Sequence, residues 1–266
     1  EDLYLPYKPR RRTKGMIARD AGLEPLADSL WANPLLDPLA EAPAYINAEG
    51  GFADVHAVLD GVRDLLSERW AEDAALVGTL REWLWGDGLL QSRLVDGKDG
   101  SNPDAAKFRD YFDYREPIRK VPSHRALAVF RGRTLEWLDA KLVLDEELVP
   151  GKPGFAEGRI AHHLGWRHQQ RPGDELMRKA VAWTWKVKLS LSLERDLFAR
   201  LREDAETVAI KVFGDNLRDL LLAAPAGKRV VMGLDPGIRT GVKVAVVSDT
   251  GKVLDTATVY PHEPRR

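Results

Sequence analysis

The densest group of positive charges near the start of the chain comprises Lys8, Arg10, Arg11, Arg12 and Lys14. Tyr4 and Tyr7 stand directly before this basic run. Basic side chains neutralise phosphates and aromatic rings stack on unpaired bases, so the combination indicates contact with single-stranded nucleic acid. The alternative is a solvated strap whose tyrosines pack on a neighbouring core and whose arginines pair with nearby acids.

A second, looser basic zone contains Arg115, Arg119, Lys120, His124, Arg125, Arg131 and Arg133. Over the whole chain, 40 Lys and Arg residues balance 41 Asp and Glu residues, for a net charge of −1. This balance is not that of a domain that coats nucleic acid with a broadly basic surface. Any contact with nucleic acid must therefore come from local clusters of charge.

Asp235 directly follows the short apolar segment 229–234 and is the strongest candidate metal ligand. Hydrolysis by two metal ions ~3.5–4 Å apart needs several carboxylate ligands. Asp249 and Asp255 fall in a hairpin turn and in a later strand, where they would not complete such a set. The pattern favours a turn at Asp235-Pro236-Gly237, and a metal site would need carboxylates from outside this chain.

The remaining candidate sites are weaker. The glycines at 233, 237 and 241 fit neither the Walker spacing nor the dinucleotide fingerprint. The histidines at 162, 163 and 168 would point in different directions from a helix, so we predict no zinc site. The absence of cysteine excludes disulfides, thiolate metal sites and cysteine nucleophiles. We predict neither a metal nor a cofactor.

Helices are the main elements predicted to position these residues. Hydrophobic residues make up 44% of the chain and charged residues 30%, which is typical of a globular protein. Periodic apolar residues and end signals predict helices over 14–21, 23–32, 52–66, 76–85, 104–114, 123–130, 194–212 and 215–224. Ser123 is the predicted N-cap of its helix, Gly214 the predicted stop between the last two, and 35–44 a predicted loop.

Two segments leave the choice between helix and strand open. Residues 135–144 fit either element. Residues 181–193 alternate strictly between apolar and other residues, as a strand does, but thirteen residues is long for a strand, for which roughly 5–6 is usual. We favour a helix there, mainly because of the resemblance described below.

The final residues predict strands. Short apolar segments at 229–234 and 242–247 are followed by a hairpin turn at Asp249-Thr250-Gly251-Lys252 and a third strand over 252–260. About forty residues are too few for an independent domain, which usually has ~100. The pattern therefore indicates the opening β-meander of a second, incomplete domain.

Three stretches of the chain resemble the Tex family. The first contains Leu3-Tyr4-Leu5-Pro6-Tyr7-Lys8-Pro9, and the second runs from Tyr111-Phe112-Asp113-Tyr114 through Val121-Pro122-Ser123-His124-Arg125-Ala126. The third joins 220–227 to Gly233-Leu234-Asp235-Pro236-Gly237-Ile238-Arg239-Thr240-Gly241. These stretches reach from one end of the chain to the other.

The resemblance implies a mainly α fold: a multi-helical Tex-type region over residues 1–227, followed over 228–266 by an incomplete α/β YqgF domain. That domain has the RNase H-like fold and is represented here by its first β-strands. In this family, helix-hairpin-helix elements and an RNA-binding OB-fold module follow. The modules expected to grip nucleic acid most strongly would then lie beyond residue 266.

The resemblance further implies a transcription accessory scaffold that positions RNA- or DNA-binding modules. Its expected partners are RNA or single-stranded DNA, with RNA polymerase or associated factors, and the basic run at 8–14 is the candidate contact. We expect a cytoplasmic protein, because no signal peptide or membrane span is found. We expect no enzyme, because YqgF domains of this type generally look degenerate for catalysis.

Two alternatives to the scaffold remain. One is a metal-dependent nuclease or resolvase of the RNase H-like class, with Asp235 as its first ligand. The other is a protein-docking module that makes no direct contact with nucleic acid.

Overall fold

The computed structural model describes residues 12–147, 149, 152–225, 227–237 and 240–261. Backbone contacts divide the chain into two compact units, residues 1–210 and 211–266. The predicted order, a multi-helical region followed by the strands of a second domain, is confirmed. The predicted domain boundary at 227/228 stays a prediction. Within the described residues, no helix combines the length and the apolar character needed to cross a membrane.

The described chain contains both α-helices and β-strands. In chain order the helices are α1 (Lys14–Asp20), α2 (Glu24–Ala32), α3 (Pro38–Glu41), α4 (Val55–Ala71), α5 (Ala74–Asp87), α6 (Ser123–Thr134), α7 (Phe155–His163), α8 (Asp174–Trp183) and α9 (Ser190–Leu221). The strands are β1 (Leu89–Leu94), β2 (Asp113–Pro117), β3 (Leu138–Val143), β4 (Val231–Gly237), β5 (Gly241–Val247) and β6 (Val253–Val259).

Side-chain caps set the starts of three early helices. Thr13, Asp54 and Asp73 each accept a backbone hydrogen bond from the first turn of α1, α4 and α5, respectively. Such a cap stabilises a helix by about 1 kcal/mol relative to alanine. The predictions of α1, α2, α4 and α5 are confirmed. The predicted loop at 35–44 is wrong, because Pro38 begins the one-turn helix α3, where its missing N–H has no helical partner to lose.

Helix α4 lies at the centre of the first unit. Its side chains Val62, Leu65 and Leu66 are fully buried, and α1, α2 and α8 pack against it. Leu80 of α5 and Leu197 of α9 belong to the same core. Burial of each such side chain contributes roughly 1.5–3 kcal/mol. The core therefore fixes the helices whose outer faces carry the candidate contacts.

A small antiparallel sheet, in the order β2-β1-β3, interrupts the helical region. The predicted helix at 104–114 is wrong, since a 3-10 stretch over Ala106–Tyr111 leads into β2. The ambiguous segment at 135–144 contains β3, where Leu138 and Ala140 are buried and Asp139 and Lys141 are exposed. Both segments pair with β1, a strand that was not predicted from the sequence. This pairing makes them strands, because it satisfies the hydrogen-bonding groups of their backbones.

Helix α6 begins one residue earlier than its predicted cap implies. Ser123 is the first helical residue, and the cap position belongs to Pro122, whose backbone is extended. Pro122 provides no side-chain capping hydrogen bond, and Ser123 lies inside the helix, so the predicted N-cap at Ser123 is wrong. The fixed φ of Pro122 holds the extended conformation that a helix entrance needs.

The alternating segment at 181–193 is helical, which confirms the favoured interpretation. It contains the end of α8, a wide π-helical stretch over Thr184–Leu189 and the start of α9. Val181, Thr184 and Leu189 are buried, whereas Val187 and Leu191 are exposed. The wide turn adds one residue to the helical repeat, so the buried face does not follow the alternation of the sequence.

The predicted helix stop at Gly214 is wrong. Helix α9 runs without interruption through 32 residues, from Ser190 to Leu221. Gly214 is not among the glycines of positive φ, and so lacks the left-handed conformation of a helix-ending glycine. Helix α9 is therefore continuous and exposed to solvent at the position where a break between two helices was expected.

The second unit contains the predicted β-meander, in the antiparallel order β4-β5-β6. The hairpin between β5 and β6 closes where Ser248 N donates to Lys252 O at 2.8 Å. Gly251 has φ of 82° there, a conformation that favours glycine. The prediction of three strands with a turn at 249–252 is confirmed.

Candidate nucleic-acid interface

Only the end of the predicted basic run lies within the described residues. Lys8, Arg10 and Arg11, with Tyr4 and Tyr7, fall outside them. Arg12 Nη2 lies 2.7 Å from Asp20 Oδ2, and both side chains are exposed. Lys14 opens α1 with an exposed side chain. The assignment of the run to nucleic-acid binding stays a prediction.

Thr13 attaches this end of the run to the core. Thr13 Oγ1 donates to Glu68 Oε2 at 2.6 Å, and Lys188 Nζ lies 2.8 Å from Glu68 Oε1. Gly15 approaches so closely that an added Cβ would lie 2.1 Å from Glu68 Oε2. The carboxylate of Glu68 on α4 therefore holds Thr13, which lies between Arg12 and Lys14, in place. The sequence offered no signal for Glu68, because its partners lie far away along the chain.

The looser basic zone is partly neutralised. Arg115 Nη2 lies 3.1 Å from Asp145 Oδ1, and Arg125 Nη1 lies 3.3 Å from Glu116 Oε2. Glu116 also accepts a short hydrogen bond from the Tyr114 hydroxyl. Burial raises the pKa of Tyr114, and the Glu116 carboxylate raises it further, so this phenol remains a donor. Arg115 and Arg125 are therefore paired with acids and are less available to phosphates.

Other cations of this zone remain available. Arg119 and Lys120 are exposed at the entrance to α6, and Arg131 is exposed in its last turn. None of the three forms an ion pair with the described residues. A helix rises ~1.5 Å per residue, so the two ends of α6 present separate charges roughly 15 Å apart. The zone can therefore contact phosphates at two points.

Asp235 lies within β4, with Lys243 opposite it on β5. The predicted turn at Asp235-Pro236-Gly237 is wrong, because β4 continues to Gly237, which pairs with Gly241. An added Cβ on Gly241 would lie 2.8 Å from the Tyr260 ring, so close packing accounts for this glycine. Among the described residues, no group of three acidic or histidine side chains is arranged to hold a metal ion.

His163 has different surroundings from His162 and His168, which line one pocket. His163 Nε2 lies 2.9 Å from Asp73 Oδ2, the cap of α5. Burial raises the pKa of Asp73, but hydrogen bonds from His163 and from two backbone amides outweigh it and lower that pKa below its ordinary value. His162 lies on the same helix, and His168 in the loop that follows. His163 thus has a structural partner, which sequence spacing alone did not identify.

Asp174 organises the loop between α7 and α8, a role that the sequence analysis missed. Its fully buried carboxylate accepts hydrogen bonds from Trp166 Nε1 at 3.1 Å, Gln169 N at 2.7 Å and Arg171 Nη2 at 2.8 Å. Burial acts to raise the pKa of Asp174, but these hydrogen bonds hold it far below its usual range. The available signal was an acid at the position where α8 begins, since carboxylates are favoured in the first turn of a helix.

Comparison with known proteins agrees with this architecture. A family model described as Tex central region-like matches residues 33–213, and one described as Tex protein YqgF-like domain matches residues 229–266. The protein named Protein tex of Bordetella pertussis is 53% identical over 271 residues, covering 100% of this chain and 34% of that protein.

Two further relatives have informative names. Transcriptional accessory protein Tex of Neisseria gonorrhoeae is 48% identical over 99% of this chain and 34% of its own length. S1 RNA-binding domain-containing protein 1 of Homo sapiens is 31% identical over 98% of this chain and 26% of its own length. The chain thus spans about a third or less of these curated relatives.

Proposed function

Because this chain belongs to the Tex family, we propose that it is the central scaffold of a nucleic-acid-binding accessory factor of transcription. The names of two relatives, a transcriptional accessory protein and an S1 RNA-binding domain-containing protein, support the proposal. Its partners are RNA or single-stranded DNA, together with RNA polymerase or a factor bound to it. The proposed location is the cytoplasm.

The observation that carries the proposal is the attachment of the basic run to α4. Glu68 is largely buried and joins Thr13, at the described end of the run, to Lys188 of the π-helical stretch. A charge-bearing segment that is fixed at one end loses less conformational freedom when it binds a strand. The core thereby supports the described end of the run, at Arg12 and Lys14, in the manner expected of a scaffold.

The exposed cations at the two ends of α6 support the same function. Arg131 projects from α6, whose inner residues Ala126 and Val129 are fully buried, and Arg119 and Lys120 lie in the 3-10 turn just before that helix. Cations on a fixed helix meet phosphates at set positions and gain affinity by releasing counterions. The weak net charge of the chain is compatible with this role, because only local clusters are needed.

Salt-dependent binding of the full chain tests the proposal. Fluorescence anisotropy would compare labelled single-stranded RNA, single-stranded DNA and duplex DNA between about 50 and 200 mM salt. We expect micromolar affinity for a single strand that weakens about tenfold in the triple variant Arg10→Ala, Arg11→Ala and Arg12→Ala.

The matched control is the triple variant Arg109→Ala, Arg195→Ala and Lys211→Ala, which removes the same charge from exposed positions elsewhere. We expect this control to bind within about twofold of the unaltered chain, apart from the general effect of charge. Absence of binding at every salt concentration would contradict the proposal and favour a protein-docking module.

The proposal assigns no catalytic step to Asp235. Asp235→Asn is accordingly expected to leave both RNA binding and the integrity of the RNA unchanged. Incubation of labelled RNA and branched DNA with the chain and Mg²⁺ tests this point. Cleavage that disappears in Asp235→Asn would support a nuclease in place of a scaffold.

A further inference from the structure

Two pockets adjoin on the surface of α7 and form one groove. They have volumes of about 610 and 630 Å³ and share the lining residues Pro153, Gly158 and His162. We propose that this α7 groove, which runs from Trp83 to Trp166, binds an unpaired nucleic-acid strand. This inference rests on the proposed function and deepens it, because it places a strand at residues outside both predicted basic zones.

The Trp166 end of the groove is positively charged. Arg167 is exposed and forms no ion pair with the described residues, and His162 and His168 line the same pocket. Both carboxylates of this pocket are already paired with cations. Lys186 Nζ lies 3.2 Å from Glu157 Oε1, and Arg178 Nη2 lies 2.6 Å from Glu175 Oε1. The charge that remains is positive, and it complements a phosphate.

The loop that carries these groups is held in a fixed conformation. Asp174 binds Trp166 and the backbone of Gln169 and Arg171, as described above. Gln170 adopts a φ of 59°, which is uncommon for a residue other than glycine and is sustained by this network. Trp166 and Arg167 are thus presented without a large ordering cost on binding.

The Trp83 end supplies a second aromatic ring and a second cation. The Arg159 guanidinium lies 4.4 Å from the centroid of the Trp83 ring, and Trp83 Nε1 donates to Asp87 at 2.8 Å. Phe155, on the first turn of α7, is 57% exposed beside them. Asp145 in this pocket is paired with Arg115, which leaves Asp87 as the carboxylate without a cationic partner among the described residues.

The arrangement fits a single strand better than a duplex. Single-strand binders use aromatic rings on which successive bases stack, worth ~1–3 kcal/mol per base, in a groove with cations that follow the phosphates. A duplex keeps its base faces stacked inside and could not use Trp83 and Trp166. The shared chemistry is an unpaired base beside a phosphate, which RNA and single-stranded DNA both offer.

Binding of labelled oligouridylate RNA and oligothymidylate DNA to the full chain tests the inference. We expect Arg159→Ala with Arg167→Ala to weaken binding of a single strand about tenfold, and to lower the slope of log affinity against log salt by about 1.4, or ~0.7 per phosphate contact. Equal losses of affinity for the two oligomers would show that RNA and single-stranded DNA bind through the same groups. A larger loss of affinity for one oligomer would identify that strand as the ligand.

The matched control is Arg109→Ala with Arg195→Ala, two exposed arginines outside the groove. Trp166→Leu provides an independent variant that removes a ring without changing charge, and circular dichroism checks that it folds. As a second readout, irradiation of RNA carrying 4-thiouridine is expected to crosslink peptides that contain Trp83, His162 or Trp166.

The outcomes separate this inference from the proposed function. If the unaltered chain binds RNA but the groove variant matches its control, and crosslinks lie only outside the groove, the groove is not a binding site and the scaffold proposal stands. If the unaltered chain binds no strand at any salt concentration, both are overturned. Loss of affinity in the groove variant, with crosslinks in the groove, supports both.

Discussion

Lys188 Nζ lies 2.8 Å from Glu68 Oε1, so one ion pair joins the π-helical stretch to α4 across 120 positions of sequence. The same carboxylate receives Thr13 Oγ1 at 2.6 Å. The side chains of Glu68 and Lys188 are 15% and 23% exposed. An ion pair so shielded from water is strongly coupled to its surroundings, because removal of one charge leaves the other unpaired.

Glu68→Gln is expected to destabilise the first unit by about 1–3 kcal/mol, since Lys188 would lose its charged partner. Urea unfolding followed by circular dichroism measures the change. Glu203→Gln, an exposed acid on α9, is the matched control and should change stability by less than about 0.5 kcal/mol. Equal stability of the two variants would contradict a structural role for Glu68.

Asp174→Asn is expected to destabilise the chain by about 2–4 kcal/mol at neutral pH, because a buried carboxylate that accepts several hydrogen bonds would lose its charge. The pKa of Asp174 is lowered in the folded state, so its stabilisation is fully present above its unfolded pKa of about 3.9 and is lost as the pH falls.

The free energy of unfolding, measured at pH 6 and at pH 3, tests whether this stabilisation is lost in acid. The stability difference between the unaltered chain and Asp174→Asn should shrink by about 1 kcal/mol over that range. Other acids titrate equally in the two proteins, so their contributions cancel in the difference. A gap that stays constant or widens in acid would show that the Asp174 carboxylate is not the stabilising group.

Gly214→Ala is expected to stabilise α9 by about 0.5–1 kcal/mol, because alanine favours a helix interior and nothing lies within 4 Å of the added Cβ. Amide exchange of residues 206–221 measures the effect. Gly251→Ala is the contrasting variant, since its φ of 82° disfavours alanine and the hairpin should weaken. Weakening of α9 by Gly214→Ala would indicate a helix end at that residue.

The amides of β4, β5 and β6 are expected to exchange much faster than those of β1. Met232, Leu234 and Leu254 of the meander are each more than half exposed, whereas Leu90 of β1 is fully buried. A three-stranded sheet without a covered face has little apolar burial to stabilise it. Hydrogen exchange resolved by mass spectrometry compares the two sheets in one sample, and equal protection would contradict the prediction.

Local signals in the sequence determined much of the helical framework. Thr13, Asp54 and Asp73 cap the helices that directly follow them, and the Asp-Thr-Gly-Lys turn at 249–252 closes its own hairpin. Each of these interactions joins residues a few positions apart. The family resemblance was likewise carried by contiguous motifs, and the family models match over 33–213 and 229–266.

Tertiary structure decided what depends on distant partners. The sheet β2-β1-β3 replaced a predicted helix at 104–114, because pairing with β1 satisfies the backbone of β2 and β3. Glu68 gained its role from Thr13 and Lys188, and the α7 groove from Trp83 and Trp166. Sequence patterns report propensities over a few residues, whereas backbone pairing, burial and charge neutralisation are settled only when distant segments meet.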